Sequence, residues 1–381
     1  MSLRVVSPRV RSARPVGRYG RPSVTETPFP LKGQDWLLAK PDRQEYLVEL
    51  AFRFWRRRGF PYYTLSTAAV ESEFRRLLLF DWRRTFVGNR LRGPSLGLRL
   101  ANSFHPAMWS VRVSRYRSPM DVFQDDALFH SAIRRAFVIW PTRYSANASC
   151  LRRILKTFTS TAGVSNFKPV IAKAIIAKYS KAGDLVVDFC AGYGGRLLGC
   201  LTLPRQFIGI EPCKSQVSGL RRMIRMVSGF KASPCAARIL QGCAEEKLRE
   251  LPSRSADLVF SSPPYFDWER YAPHSSQSFV RYKTYPEWLE NFLKPVIAES
   301  SRVLKKRGHL VLNISNGKRN PTRRDVLRIA QLFGLALERS HHMVVPKVPY
   351  LHPRNGLPTK CECLLVFTRP KEHAQSSANC V

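Results

Sequence analysis

From about residue 165 onward, short apolar runs alternate with amphipathic stretches of helical length. No other feature constrains the fold as strongly. "KPVIAKAIIAKYSKAG" predicts a helix closed by Gly183, and "DLVVDF" a short buried strand. "RLLGCLTL", "QFIGIE", "KSQVSGLRRMIRMV", "ARILQG" and "ADLVFSS" continue the alternation. "YPEWLENFLKPVIAESSRVLKKRG" reads as a helix interrupted at Pro295. It is followed by the strand "HLVLNIS", the helix "RRDVLRIAQLFG" and the strand "CECLLVF". Strands and helices in this rhythm predict a doubly wound, mainly parallel α/β sheet. Ligands of such sheets sit at the carboxyl ends of the strands, which directs attention to the residues found there.

The first strand runs into "VVDFCAGYGGR". Gly192, Gly194 and Gly195 make a strand-to-helix turn that a ligand can approach closely. The spacing is not that of the GxGxxG dinucleotide fingerprint. The next strand ends in Glu211, 23 residues after Asp188. A carboxylate at that point can accept hydrogen bonds from both hydroxyls of a ribose, so turn and acid together predict an adenosine-containing ligand. After the third strand, Cys243, Ala244 and Glu245 are alternative contacts for an adenine edge. The fourth strand ends in "SSPPYFDW", where proline stops the ladder at Pro263. Asp188 and Ser262, at the ends of neighbouring strands, are expected to face one cleft.

Residues 35–150 read differently. Helical spacing predicts helices over 41–58, 67–80 and 119–140, with Arg-, Gly- and Pro-rich loop and short strands over 81–118. Residues 1–34 are rich in Pro and Arg and predict a flexible basic arm. Its first 24 residues share their composition with an organelle transit peptide, but Pro8, Pro15 and Pro22 oppose one long helix. The expected division is therefore arm 1–34, basic helical region 35–150, catalytic domain 151–370 and tail 371–381. Across the chain 63 Lys and Arg face 27 Asp and Glu, a net charge of +36. A surplus of this size predicts a polyanionic partner, nucleic acid first. No apolar run is long enough for a membrane span. The nine cysteines include no CxxC pair, and the CxC of Cys361 and Cys363 lacks a third ligand nearby. No metal is expected, and a reducing, cytoplasmic compartment fits best.

"DFCAGYGG", then "GIE", then "SSPPY" resembles the S-adenosylmethionine-dependent amino-methyltransferases of DNA. The resemblance covers about residues 166–367. It implies a class I methyltransferase, Rossmann-like sheet, S-adenosylmethionine as cofactor and DNA as partner, with RNA less expected. The upstream "SNFKPVIAKAIIAKY" resembles the family's flanking helix, whose start touches the methionine part of the cofactor. That maps to Asn166, Phe167, Lys168 and Pro169. The implied cofactor residues are thus Phe167, Lys168, Pro169, Asp188, Cys190, Ala191, Gly192, Gly194, Glu211, Cys243 and Ala244. The set is also similar to phage and prophage DNA methylases with a basic helical N-terminal part. That implies a nucleoid-associated or phage-encoded enzyme, with or without a restriction partner. Cys190 and Cys243 depart from the family pattern, and no separate target-recognition domain follows the core. Recognition then falls to the N-terminal part or to the loop 343–360, with Lys347, Arg354 and Lys360.

The resemblance gives the corner its chemistry. An exocyclic amine is a poor nucleophile because its lone pair is delocalised into the ring. Acceptors around the NH₂ localise that pair, and Ser262 Oγ and the Pro263 carbonyl stand in this role. Pro263 and Pro264 hold them stiffly. Tyr265 would stack on a base flipped out of the duplex, with Phe266 or Trp268 as further stacking residues. Serine in the first position favours cytosine N4 over adenine N6. Cytosine C5 chemistry needs a Pro-Cys nucleophile, and Cys235 after Pro234 precedes the third strand. Tyr271, His274 and Gln277 either line the pocket or pack a loop, and His341 with His342 reads as strand. The alternatives are an RNA or protein-amide methyltransferase with the same corner, or a nucleic-acid-binding protein with an inactive core.

Overall fold

The computed structural model describes residues 36–139, 147–158, 160–230, 234–267, 269–271, 275–314, 320–344 and 361–370. The expected arm 1–34, the tail 371–381, Trp268, His274 and nearly all of the loop 343–360 lie outside the described residues.

The strands are β1 (Phe86–Val87), β2 (Arg90–Leu91), β3 (Arg112–Val113), β4 (Leu185–Asp188), β5 (Gln206–Glu211) and β6 (Ala236–Gln241). They continue with β7 (Ala256–Ser261), β8 (Glu269–Arg270), β9 (Leu304–Ile314), β10 (Ala336–Val344) and β11 (Cys361–Thr368). Nine of them form one sheet in the order β1-β2-β10-β11-β9-β7-β4-β5-β6. The run from β9 to β6 is parallel, and β11 lies antiparallel between β9 and β10. The expected doubly wound, mainly parallel, Rossmann-like sheet is present.

Strand alternation explains why both faces of this sheet are covered. Val186, Phe207, Leu258, Val311 and Leu364 point into one apolar cluster, with the helices Pro169–Tyr179 and Lys214–Ser228. Their neighbours Val187, Ile208, Val259, Leu312 and Leu365 point into a second, with the helices Lys294–Val303 and Thr322–Leu332. From β4 the chain winds outward through β5 and β6, then returns to the other side of β4 for β7 and β9. The reversal between β4 and β7 opens a crevice at their carboxyl ends.

The N-terminal residues do not pack as one unit. The helices Pro41–Arg58, Asp126–Ile139 and Ala148–Thr157 share their own core around Trp55, Phe129 and Leu151. The expected boundary at residue 150 falls inside that cluster. Residues 70–101 instead join the sheet's core through Phe74, Leu77, Leu91 and Leu100. There β2 pairs with β10, so the β1-β2 hairpin covers an edge that would otherwise expose its ladder. Buried Lys173 donates to the carbonyls of Leu77, Leu78 and Phe80 at 2.8, 2.8 and 2.9 Å. These carbonyls close the helix Thr67–Leu79, where few N–H partners remain, and the lysine ties that end to the helix Pro169–Tyr179 that packs on the sheet.

Three local expectations are corrected. The helix expected over 119–140 is two, Pro119–Gln124 and Asp126–Ile139, because Asp125 takes extended backbone (φ −87°, ψ 117°). The long helix before β9 is Tyr285–Trp288, a wide π turn Leu289–Leu293 and Lys294–Val303. Pro295 has no N–H to give and its ring crowds the preceding turn, which the wider turn relieves. "LKKRG" belongs to β9 rather than to the helix, and β10 is a strand that periodicity did not single out. His341 and His342 do lie in it, and His341 Nε2 bonds Tyr179 OH at 2.8 Å.

Candidate active site

The glycine turn is held from behind. The Asn166 side chain donates to the Tyr193 carbonyl at 2.9 Å and accepts from Gly195 N–H at 3.1 Å. A Cβ on Gly195 would stand 2.0 Å from the Phe167 carbonyl, so only glycine permits this contact. Gly192 and Gly194 have φ of +54° and +74°, the left-handed region that glycine enters without strain.

Asp188 is wholly buried beneath the turn and does not face the cleft. Its carboxylate accepts from Arg196 Nε at 2.8 Å and Nη2 at 3.3 Å, from Ser261 Oγ at 2.8 Å and from Cys190 N–H at 3.2 Å. Arg196 also donates to the Cys190 carbonyl. The expected cleft residue is therefore a brace, fixing the loop from both strands.

Glu211 sits at the other end of the turn. It accepts from Gly192 N–H at 2.9 Å and Cys213 N–H at 3.0 Å. Burial, opposed by these two bonds, raises its pKa from 4.5 to about 7. The Cys190 thiol is pushed well up by burial and by the nearby Asp188 and Glu211 carboxylates, which makes it unreactive.

After β6, one oxygen of the Glu245 carboxylate is engaged within the protein. It pairs with Arg281 at 3.0 Å and accepts from Tyr282 OH at 3.1 Å, while Cys243 Sγ donates to the Ser276 carbonyl at 3.6 Å. Cys243, Glu245 and Glu246 bring ligand-type atoms within 4.8 Å of one another, yet both carboxylates already pair with Arg281. These contacts latch the segment 276–282 over the crevice.

At the corner, Phe266 has φ of +55°. Its ring packs against Tyr285 and Trp288 at 5.9 and 6.2 Å, so it anchors the turn instead of stacking on a ligand. Tyr265 OH donates to the Asn313 carbonyl at 3.4 Å. The Asn313 amide Nδ2 lies 3.3 Å from Ser262 Oγ, 3.3 Å from Tyr265 OH and 2.9 Å from Glu362 Oε2.

One cavity of about 470 Å³ joins these parts. Phe167, Lys168, Cys190, Ala191, Gly192 and Glu211 line it, with Cys243 and Ala244. Ser262, Pro264 and Tyr265 line it from the end of β7, with Tyr271 and Gln277 also on the wall. Pro169, Asp188, Gly194 and Pro263 are not among its lining residues. Asn313 and Glu362 also line the cavity, and sequence reasoning did not select them. A polar residue closing the apolar run "HLVLN" was the signal available for Asn313.

Residues 256–379 match a family model described as DNA methylase of the N6/N4 type. The Type II methyltransferase M.MjaVI of Methanocaldococcus jannaschii is 34% identical over 85 residues, which cover 21% of this chain and 41% of that protein. The chain thus spans less than half the length of this curated relative. Among solved structures, a methyltransferase from Pyrococcus furiosus aligns over 57% of this chain and 94% of its own, at 13% identity and a TM-score of 0.37. A TehB-like SAM-dependent methyltransferase from Corynebacterium glutamicum aligns over 52% and 86%, at 16% identity and a TM-score of 0.33. The resemblance to DNA amino-methyltransferases is borne out over the matched residues, which include the corner.

Proposed function

With its corner matched to the DNA methylases, we propose that the chain moves a methyl group from S-adenosylmethionine to an exocyclic amine of a DNA base flipped out of the duplex. Cytosine N4 is preferred to adenine N6 because the corner begins with Ser262. The observation that carries this reading is a single cavity lined both by the glycine turn with Glu211 and by Ser262, Pro264 and Tyr265 of the corner.

The residues present fit the cofactor. Only the Cys190 carbonyl, 3.7 Å away, lies within 4 Å of where a Gly192 Cβ would stand, so the turn is open to close approach. Glu211 would accept from the ribose hydroxyls, and Phe167 and Lys168 would hold the methionine end. Bound there, the cofactor supplies an electrophilic methyl on a sulfonium. Ser262 Oγ, with the Pro263 carbonyl, would draw the amine toward tetrahedral geometry, and Tyr265 would cover the base face. No helix among the described residues is long and apolar enough to cross a membrane. The excess of basic residues suits the phosphate backbone.

The deciding experiment is sequencing of DNA from expressing cells with detection of modified bases. It is paired with transfer from labelled cofactor to DNA, RNA and protein fractions side by side. N4-methylcytosine at a defined site is expected. Label confined to RNA or protein would move the substrate, and cofactor binding with no label anywhere would point to an inactive core.

Glu211 gives this reading a pH signature. Folding raises its pKa, so the stability it contributes is fully present below about 4.5 and is lost as pH rises through about 7. Ribose hydroxyls prefer the ionised carboxylate, so cofactor affinity runs the opposite way and falls as pH drops through about 7. Calorimetric binding should be about tenfold weaker at pH 6 than at pH 8. Glu211→Gln should bind more weakly throughout and lose this difference. An equal pH slope in the variant would remove Glu211 from the cofactor site.

A further inference from the structure

The Ser-Pro-Pro-Tyr residues carry no carboxylate, yet methylation of an amine leaves a cation that must shed a proton. Among the described residues three carboxylates line the cavity: Glu211, Glu245 and Glu362. Glu211 is bound to the glycine turn and Glu245 to Arg281 and Tyr282, both away from Ser262. Glu362 stands at the corner. The sheet puts it there, because β9 lies between β7 and β11. Ser261 pairs with Leu312, which brings Ser262 alongside Asn313. Asn313 pairs with Leu364, which makes Glu362 its diagonal neighbour on the same face.

The amide of Asn313, 3% exposed, joins the two ends of this cluster. A carboxylate only accepts, so Glu362 fixes the NH₂ end of the amide toward itself at 2.9 Å. The same nitrogen reaches Ser262 Oγ at 3.3 Å. An amine seated against Ser262 therefore stands one side-chain amide away from a carboxylate.

Resting on the methyltransferase reading, we propose that Glu362 is a catalytic residue that balances the charge developing on the amine and takes its proton. As the new N–C bond forms, the methyl C–S bond breaks and its electron pair stays on sulfur. The nitrogen becomes cationic, one N–H proton passes to the Glu362 carboxylate, and the resulting acid returns it to water through the cavity mouth. Asn313 is a positioning residue in this scheme, since it holds the carboxylate beside Ser262.

The test is Glu362→Gln. The glutamine carbonyl still accepts from Asn313 and keeps the volume, but it has no charge and no basicity. Single-turnover transfer to unmodified genomic DNA should fall about 10²-fold. Calorimetric cofactor affinity should stay within twofold of wild type. So should the emission of 2-aminopurine placed at the modified position, which reports base flipping. Glu362→Asp should retain more activity than Glu362→Gln. Added formate should restore Glu362→Ala but not Glu362→Gln, a rescue that a purely structural role would not give. A Glu362→Gln protein at wild-type rate would overturn the proposal. So would one whose cofactor affinity falls in step with its rate. A wild-type protein that binds cofactor and methylates no DNA would instead overturn the reading beneath it.

Discussion

Replacing Ser262 and Tyr265 together by alanine is expected to lower methyl transfer at least ~10³-fold while cofactor binding changes by no more than a few fold. Removing one preorganised polar group from a transition state typically costs 10²–10³ in rate. Loss of an aromatic stacking partner costs a further ~1–3 kcal/mol per base. The split between the two measurements follows from the cavity's layout. Gly192 and Glu211 follow β4 and close β5, whereas Ser262 and Tyr265 follow β7, so the cofactor cradle should survive their loss. The two side chains are coupled through Asn313, whose amide reaches both. The double variant should therefore lose less than the product of the single losses. Transfer of labelled methyl to DNA, with calorimetry as control, reads both quantities. Retention of more than a tenth of the rate would take the corner out of the chemistry.

The parts of this site that could be read from sequence are those written in contiguous residues. A strand running into a glycine turn, an acid closing the next strand and a Pro-Pro-Tyr corner each lie within a dozen residues. Their order fixes which strand ends are neighbours. Asn313 meets Ser262, and Glu362 meets Asn313, only because β9 lies between β7 and β11, a consequence of strand order that no local window contains. Glu362 is further concealed because β11 runs antiparallel. Its amino end, not its carboxyl end, reaches the crevice, and amino ends are not where such sheets are searched for ligands. Of "ALERSHHMV" only His341 and His342 read as strand from sequence, because the rest of its centre is charged and polar. Its partners β11 and β2, rather than its own periodicity, make it a strand. Phe266 was misjudged for a related reason. Its identity suggested stacking on a base, whereas its left-handed backbone and the Trp288 ring turn it inward.

Asp188 shows that a residue at the right place on a strand can act without touching the ligand, and its removal should have the largest effect on stability. The carboxylate is wholly buried, and the side chain of its partner Arg196 is only 7% exposed. Such a pair is a weak source of net stability when intact, because both charges have left water. Removing one partner is a different matter, since it strands the other charge in the interior. Asp188→Ala should therefore cost about 3–5 kcal/mol of unfolding free energy. Asp188→Asn, which keeps an acceptor for Ser261 or Cys190, should cost less. Ser261→Ala, which removes one hydrogen bond to the carboxylate, should cost about 1–3 kcal/mol. Because Asp188 and Arg196 both bond to Cys190, the loop that carries Ala191 and Gly192 should loosen with the core. Cofactor affinity should then fall in Asp188→Ala even at temperatures where the protein remains folded. Denaturant unfolding and calorimetry on the same preparations test both halves. A variant that loses stability but binds cofactor as wild type would confine Asp188 to the core, and one that loses neither would remove it as the brace between β4 and β7.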